Sequence, residues 1–367
     1  MKQSTMTDFA LRVVRWQQQH GRHHLPWQNT QDPYRIWLSE IMLQQTQVAT
    51  VLGYYTRFLA RFPTVTALAA ASQEEVMPYW AGLGYYARAR NLHKCAQTIQ
   101  QQYGGVFPHS SAILATLPGI GPSTAAAIAA FAYGERAPIM DGNVKRVFCR
   151  YFGIYGLTHL RATEKQLWQA AHEVLAHAPT ALNMAAYTQG QMDLGAQVCT
   201  RGQPNCAVCP LQQGCYALQH QVQTELPTPK PRKSTPERHC HMLLLQHQNH
   251  VLLEQRPNKG IWGGLLSPPQ FETAHQLEQF MLEQGLGHLD EAQKMAELSH
   301  VFSHFTLHIT PWWVQQSSHL HENPAHYNQP AKAPEQHWLP LAQIQQAALP
   351  APVLKLLQGI TSLDALF

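Results

Sequence analysis

Residues 117–141 read LPGIGPSTAAAIAAFAYGERAPIMD, and the rest of the chain is organised around them. Gly119 and Gly121 stand two apart, just ahead of an alanine-rich run, Ser123 to Ala132, that has strong helical character. Glycines at that spacing leave backbone N–H groups bare of side chains. Such a turn can lie flat against a phosphate, helped by the positive end of the helix that follows. Taken alone, the GxG would be an ordinary helix–turn–helix corner without a ligand. The charge-poor helix behind it and the single carboxylate beyond, Asp141, change that reading. An anion anchor followed by a buried carboxylate points to chemistry beside a sugar–phosphate backbone.

Upstream, Asp32-Pro33 is a helix start, with Asp as cap and Pro in the first turn. The spacing of Tyr34, Trp37, Leu38, Ile41, Val48 and Leu52 predicts one helix running through to Tyr55, with those residues on its core face. Glu40 is the only acid in that run beyond the cap, among Ile36, Trp37, Leu43 and Gln44. Desolvation disfavours an ionised carboxyl, so its pKa is expected to rise. Residues 53–116 read as short helices joined by Pro and Gly turns. Within them WAGLGYYARARNLHKC (80–95) interleaves Leu83, Tyr85 and Tyr86 with Arg88, Arg90 and Lys94. Apolar wedges among phosphate-holding cations suit insertion into a base stack.

Downstream, residues 142–195 continue helical with no convincing strand, so the first domain is all-α. Cys199, Cys206, Cys209 and Cys215 crowd four thiols into a C-x6-C-x2-C-x5-C pattern. Four thiolates at these intervals hold a metal centre, either an iron–sulfur cluster or a structural zinc. Cys95, Cys149 and Cys240 read as ordinary buried thiols. Residues 216–236 form a Pro-rich, basic linker expected to be extended and exposed. Beyond it, HMLLLQ and HVLLEQR are short strands around a polar turn, and KGIWGGLLSPP is a Gly/Pro loop. A helix near His275–Glu283, one strand over residues 299–314 and a last helix near Pro352–Gln358 complete an α+β domain.

Charged residues make up only 13% of the 367, against ~25% in an ordinary domain. The net charge of +4 is uneven: residues 1–215 carry +7 and residues 237–367 carry −5. A polyanion partner held by the first half fits that distribution. Neither an export signal nor a membrane span is expected, and seven cysteines, an odd number, argue against a disulfide framework. A cytoplasmic protein without membrane contact is the expectation.

In order along the chain stand LPW (25–27), WLSEIMLQQTQV (37–48), GLGYYARARNLH (82–93), LPGIGPSTA (117–125), DGNVKRV (141–147), MDLGA (192–196), the four cysteines, WGGL (262–265) and FSH (302–304). Together they resemble the MutY-type adenine DNA glycosylases of the helix–hairpin–helix superfamily. The resemblance implies a multidomain chain. An all-α glycosylase domain (1–198) and a [4Fe–4S] loop (199–215) are followed by the linker (216–236) and a Nudix-like recognition domain (237–367). It implies a monomer acting on double-stranded DNA with adenine opposite 8-oxoguanine or guanine. Glu40 then matches the proton donor, Asp141 the carboxylate that opposes the sugar's positive charge, and Asn143 its polar partner. Gly119, Gly121 and Ser123 belong to the DNA-binding hairpin; Gln45, Thr46, Leu83 and Tyr85 lie near the opposite base. Trp27, Gln28 and Gln189 line the adenine pocket, and Ser303 and His304 sense 8-oxoguanine. Sister glycosylases that also nick DNA carry a lysine where this chain has Ser123, and no lysine lies between Lys94 and Lys145. Base removal without strand cleavage is therefore expected. The glutamate-rich Nudix hydrolase signature has no counterpart between Gly263 and Gly287, so the last domain is expected to bind and not hydrolyse.

Overall fold

The computed structural model describes residues 3–231, 234–316 and 336–364. Two compact units emerge: Met1–Ala70 with Asn91–Arg232, and Ala71–Arg90 with Lys233–Phe367. In chain order the helices begin α1 (Gln3–His20), α2 (Pro33–Leu43), α3 (Val48–Arg61), α4 (Val65–Ala70) and α5 (Gln73–Trp80). Then come α6 (Ala87–Tyr103), α7 (Ser111–Leu114), α8 (Pro122–Tyr133), α9 (Gly142–Phe152) and α10 (Arg161–His177). The series continues with α11 (Met184–Asp193) and α12 (Tyr216–Gln219), then α13 (Ala274–Glu283) and α14 (Ala351–Asp364) in the second unit.

The first unit is all-α among its described residues. Its core gathers Phe9, Val13, Phe148, Leu167, Val174, Tyr187 and Leu194. Helix α8 is the hub. Ala125, Ala126, Ala127, Ala129 and Ala130 are buried along it, and side chains this small let α2 and α11 approach its backbone closely. Caps set the ends: the Asp32 carboxylate accepts from Tyr34 N at 2.9 Å, and Pro33 and Pro122 occupy first-turn positions. Gly134, at φ 69°, takes the left-handed conformation that closes α8.

Three expectations are corrected here. The run from Tyr34 to Tyr55 is two helices and not one, broken at residues 44–47, where Gln45 adopts φ 58°. A non-glycine residue in that region costs about 1 kcal/mol or more, so tertiary packing holds the break against local preference. Leu52, beyond the break, is exposed and not on the core face. The start of the expected linker does not stand free either. Leu226 is buried in the first unit's core, its carbonyl accepting from Arg150 Nε at 2.8 Å. Arg232 and Lys233, in the same linker, lie outside the described residues.

The second unit holds a mixed sheet with, among the described residues, β1 (Glu237–His247), β2 (His250–Gln255), β3 (Leu266–Ser267) and β4 (Gln270–Phe271). It adds β5 (Gln293–Lys294), β6 (Leu298–Val301), β7 (Thr306–Gln316) and β8 (Gln336–Pro340). The main order is β3-β2-β1-β7-β5, with β4 on β1, β6 on β7 and β8 on β2. β1 and β7 run parallel from Glu237↔Thr306 to His247↔Gln316. The expected single strand over 299–314 is an antiparallel hairpin, β6 and β7, turning at residues 302–305. Helix α13 covers one face of the sheet through Leu277 and Met281, against Leu243, Leu245 and Leu252.

Candidate active site

The first unit contains a cavity of about 420 Å³, within the ~300–1,000 Å³ usual for small-molecule sites. Its wall comes from the end of α1, the 22–31 loop, α2, α8 and α11. Trp27, Gln28, Glu40 and Gln189, expected from the sequence, all line it. Trp27 is buried edge-on to Tyr55, ring centroids 5.3 Å apart. The Gln28 side-chain oxygen accepts from Leu25 N at 3.1 Å, while its Nε2 is buried without a partner. An unmet buried donor costs about 1–3 kcal/mol.

Glu40 sits in the last turn of α2, beside buried Ser39 and Ile41. Burial, then the nearby charge of Asp141, pushes its pKa up to about 8. Asp141 caps α9, its carboxylate accepting from Val144 N at 2.7 Å. Burial raises its pKa as well, but the Val144 and Asn143 N–H groups, the Arg146 charge and the Asn143 side chain all pull it back. Burial raises both carboxyls, but only Asp141 also accepts hydrogen bonds at a helix N-terminus beside a cation, which favours its ionised form relative to Glu40. Asp141 is not part of the cavity wall, yet it is close enough for its charge to act on Glu40.

Asn143 is fixed from behind. Arg146 Nη2 donates to Asn143 Oδ1 at 2.9 Å and to the Gly195 carbonyl at 2.6 Å, and its Nε donates to the Cys199 carbonyl at 2.7 Å. Gly195 lies in a wide, π-type turn, Leu194–Val198, that follows α11.

The hairpin is α7, a turn and α8. Gly119 adopts φ 77°, and a Cβ there would meet the Asn91 Cβ at 2.8 Å; at Gly121, the cap of α8, there is open space. Ser123 Oγ accepts from Met140 N at 2.9 Å, holding the backbone one residue ahead of Asp141. Gln45 is exposed at the α2–α3 break, beside half-buried Thr46.

Cys199, Cys206, Cys209 and Cys215 converge on one cleft, and Arg150 Nη1 donates to Cys199 Sγ at 3.3 Å. Four sulfur donors facing a shared space, steadied by a cation, fit a four-thiolate metal centre.

In the second unit, Trp80 Nε1 and Arg88 Nη2 both donate to the Gly84 carbonyl, at 3.3 Å and 3.2 Å, drawing the 81–86 loop into a tight turn. Tyr85 adopts φ 50° and is 48% exposed, whereas Leu83 is only 6% exposed. Of Leu83 and Tyr85, Tyr85 is the one presented. Arg90 ties the WGGL loop down, donating to Gly263 O at 2.6 Å and Asn258 O at 3.0 Å. Ser303 and His304 sit exposed at the tip of the β6–β7 hairpin, Ser303 Oγ 3.4 Å from His304 Nδ1. Phe302 behind them stacks on Phe305 at 4.7 Å and packs against Trp262 at 5.7 Å. The WGGL and FSH motifs are thus in contact.

Sequence reasoning passed over Arg22 and Asp193. Asp193 is fully buried and accepts from Arg22 Nε at 2.6 Å, Arg22 N at 2.9 Å and Gln189 Nε2 at 2.9 Å. The MDLGA motif contains Asp193, but its partner Arg22 lies 171 residues away.

The family model of the HhH-GPD superfamily of base excision DNA repair proteins matches residues 38–173, and a NUDIX domain model matches 240–359. An adenine DNA glycosylase of Buchnera aphidicola subsp. Acyrthosiphon pisum is 34% identical, covering 96% of this chain and 97% of that relative. The Homo sapiens adenine DNA glycosylase is 33% identical over 82% of this chain and 66% of its own length. Among solved structures, a thermostable thymine-DNA glycosylase matches with TM-score 0.53 at 28% identity, covering 59% of this chain and 98% of that one. An endonuclease III–DNA complex shares the fold, with TM-score 0.51 at 19% identity over 61% of this chain and 99% of that one. No described helix is long and apolar enough to cross a membrane. With a third of its positions identical to a relative matched almost end to end, the chain belongs to the adenine DNA glycosylases, base excision repair enzymes that hydrolyse N-glycosyl bonds.

Proposed function

We propose that the chain excises adenine paired with 8-oxoguanine or guanine in duplex DNA, acting as a cytoplasmic monomer and without cutting the strand. The observation that carries the reading is Glu40. It lines a base-sized cavity with a pKa near 8, so it is protonated at neutral pH, and it lies within range of the Asp141 charge. An adenine flipped into that cavity would meet Trp27, Gln28 and Gln189. As the bond from C1′ to the ring nitrogen breaks, its electron pair leaves with the base and Glu40 delivers a proton to adenine. The sugar becomes oxocarbenium-like, and the Asp141 carboxylate opposes that charge. Asn143 positions the sugar or the water that then adds to C1′; the proton that water gives up returns to Glu40. Adenine and an abasic sugar are the products.

The hairpin amides around Gly119 and Gly121 suit a backbone phosphate. Gln45, Thr46, Leu83 and Tyr85 are assigned to the DNA near the opposite base, and Ser303 and His304 to sensing 8-oxoguanine. Ser123, engaged with the Met140 backbone, offers no amine for an imine with the abasic sugar. The four cysteines would hold a [4Fe–4S] cluster, whose contribution is to clasp the 199–215 loop; no catalytic step passes through it. Single-turnover cleavage of an A:8-oxoguanine duplex tests the reading. Glu40→Gln and Asp141→Asn should each be severely slowed, borohydride should trap no covalent complex, and wild-type-like rates in both variants would overturn the assignment.

A further inference from the structure

At the exposed end of the sheet face that α13 covers, Ser299, His308 and His239 form one row across three adjacent strands. Ser299 pairs with His308 between β6 and β7, and His308 pairs with His239 between β7 and β1. Glu237, two residues before His239, projects from the same face because strand side chains alternate. The imidazoles of His239 and His308 stack with centroids 4.8 Å apart. One ligand atom from each of Glu237, His239 and His308 lies within 4.8 Å of the other two.

His308 supplies the independent observation. Its Nδ1 is engaged with Ser299 Oγ at 2.9 Å, and its Nε2 is buried with no hydrogen-bond partner, 3.8 Å from Glu237 Oε2. When Nδ1–H donates to Ser299, the Nε2 lone pair is left beside the Glu237 carboxylate, with the His239 imidazole stacked over the ring. Fixing one ring nitrogen through an outer partner is how metal-ligating histidines are oriented. Two imidazoles and a carboxylate also form a donor set suited to zinc, with water in the fourth position. Tetrahedral donors at about 2.0–2.1 Å from zinc stand roughly 3.3 Å apart. To reach that, the exposed His239 must turn out of its stack on His308 so that the two ring planes meet at the ion, while the exposed Glu237 closes in from the other side.

We propose that Glu237, His239 and His308 form a zinc site, with Ser299 as its orienting partner. The ion would clip the start of β1 to the β6–β7 hairpin and stiffen the base of the turn that carries Ser303 and His304. The site stands independently of how the glycosylase reaction is assigned.

Full-length wild type and His239→Ala/His308→Ala are dialysed to equilibrium against zinc, and bound zinc and iron are measured in the same samples. The iron content shows that the cysteine centre is equally loaded in both. Wild type should hold one more zinc per chain than the double variant. Ser299→Ala, which keeps all three ligands, should weaken that zinc by about 10-fold or more. His239→Gln, a milder change at an exposed position, should lose the same zinc if the double variant folds poorly. Equal zinc in wild type and His239→Gln would overturn the proposal.

Discussion

Gly195 and Asn143 lie in such close contact that a Cβ on Gly195 would sit 2.5 Å from the Asn143 Cβ. No side chain fits there, so the turn after α11 presses directly on the residue two places beyond Asp141. Gly195→Ala should push Asn143 aside and strain Arg146, which bonds both. A displacement near 1 Å at reacting groups can cost about 10²-fold in rate. Single-turnover excision should fall by about that much while the protein stays folded. An unchanged rate would remove Asn143 from the site.

Glu40 sets a pH signature. With a pKa of about 8 in the folded chain, the acid is lost as pH rises through that value, so excision should decline above about pH 8. Glu40→Gln should be slower by about 10²–10⁴-fold, and its residual rate should lack that limb.

Stability carries the matching sign. The folded chain holds the Glu40 proton more tightly than the unfolded one, whose carboxyl has the ordinary value of 4.5. This group's contribution is therefore full below about pH 4.5 and is lost progressively as pH rises to about 8. Glu40→Gln should flatten that part of the melting profile and be relatively more stable at the alkaline end. Parallel melting curves for the two proteins would contradict the burial argument.

Arg22 and Asp193 make an ion pair at 2.6 Å, with the Asp193 side chain wholly buried. Removing one partner strands the other, so Arg22→Ala should cost about 3–5 kcal/mol in urea unfolding. Replacing both, as Arg22→Met with Asp193→Leu, should recover much of that loss. It should still impair excision, because Gln189 loses the carboxylate that orients it.

Ser303 and His304 sit exposed on a hairpin tip backed by Phe302 and Trp262. Ser303→Ala with His304→Ala should reduce the preference for 8-oxoguanine over guanine more than overall duplex affinity. Equal losses on both duplexes would assign the tip to general binding.

Much of this was legible in advance because it is local. Asp32 and Pro33 act within one helical turn of themselves, so their order along the chain announces a cap and a helix start. Glu40 could be singled out as an acid whose helical neighbours are nearly all apolar or amide. The motif order likewise identified the family without coordinates. By contrast, the apolar series resumes at Val48 after the all-polar QQTQ of residues 44–47, and no glycine or proline marks the left-handed Gln45 that splits α2 from α3.

The sequence by itself determined that the first unit is helical, which carboxyls are candidates for the chemistry and which cysteines stand together, because those features are written in short-range spacing along the chain. Only the tertiary structure decided that Arg22 pairs with Asp193 across 171 residues, that Gly195 has no room for a side chain, and that Leu83 is tucked in while Tyr85 is presented. These facts depend on packing between distant segments. Close approach and desolvation arise only once the chain has closed on itself, and no local pattern carries them.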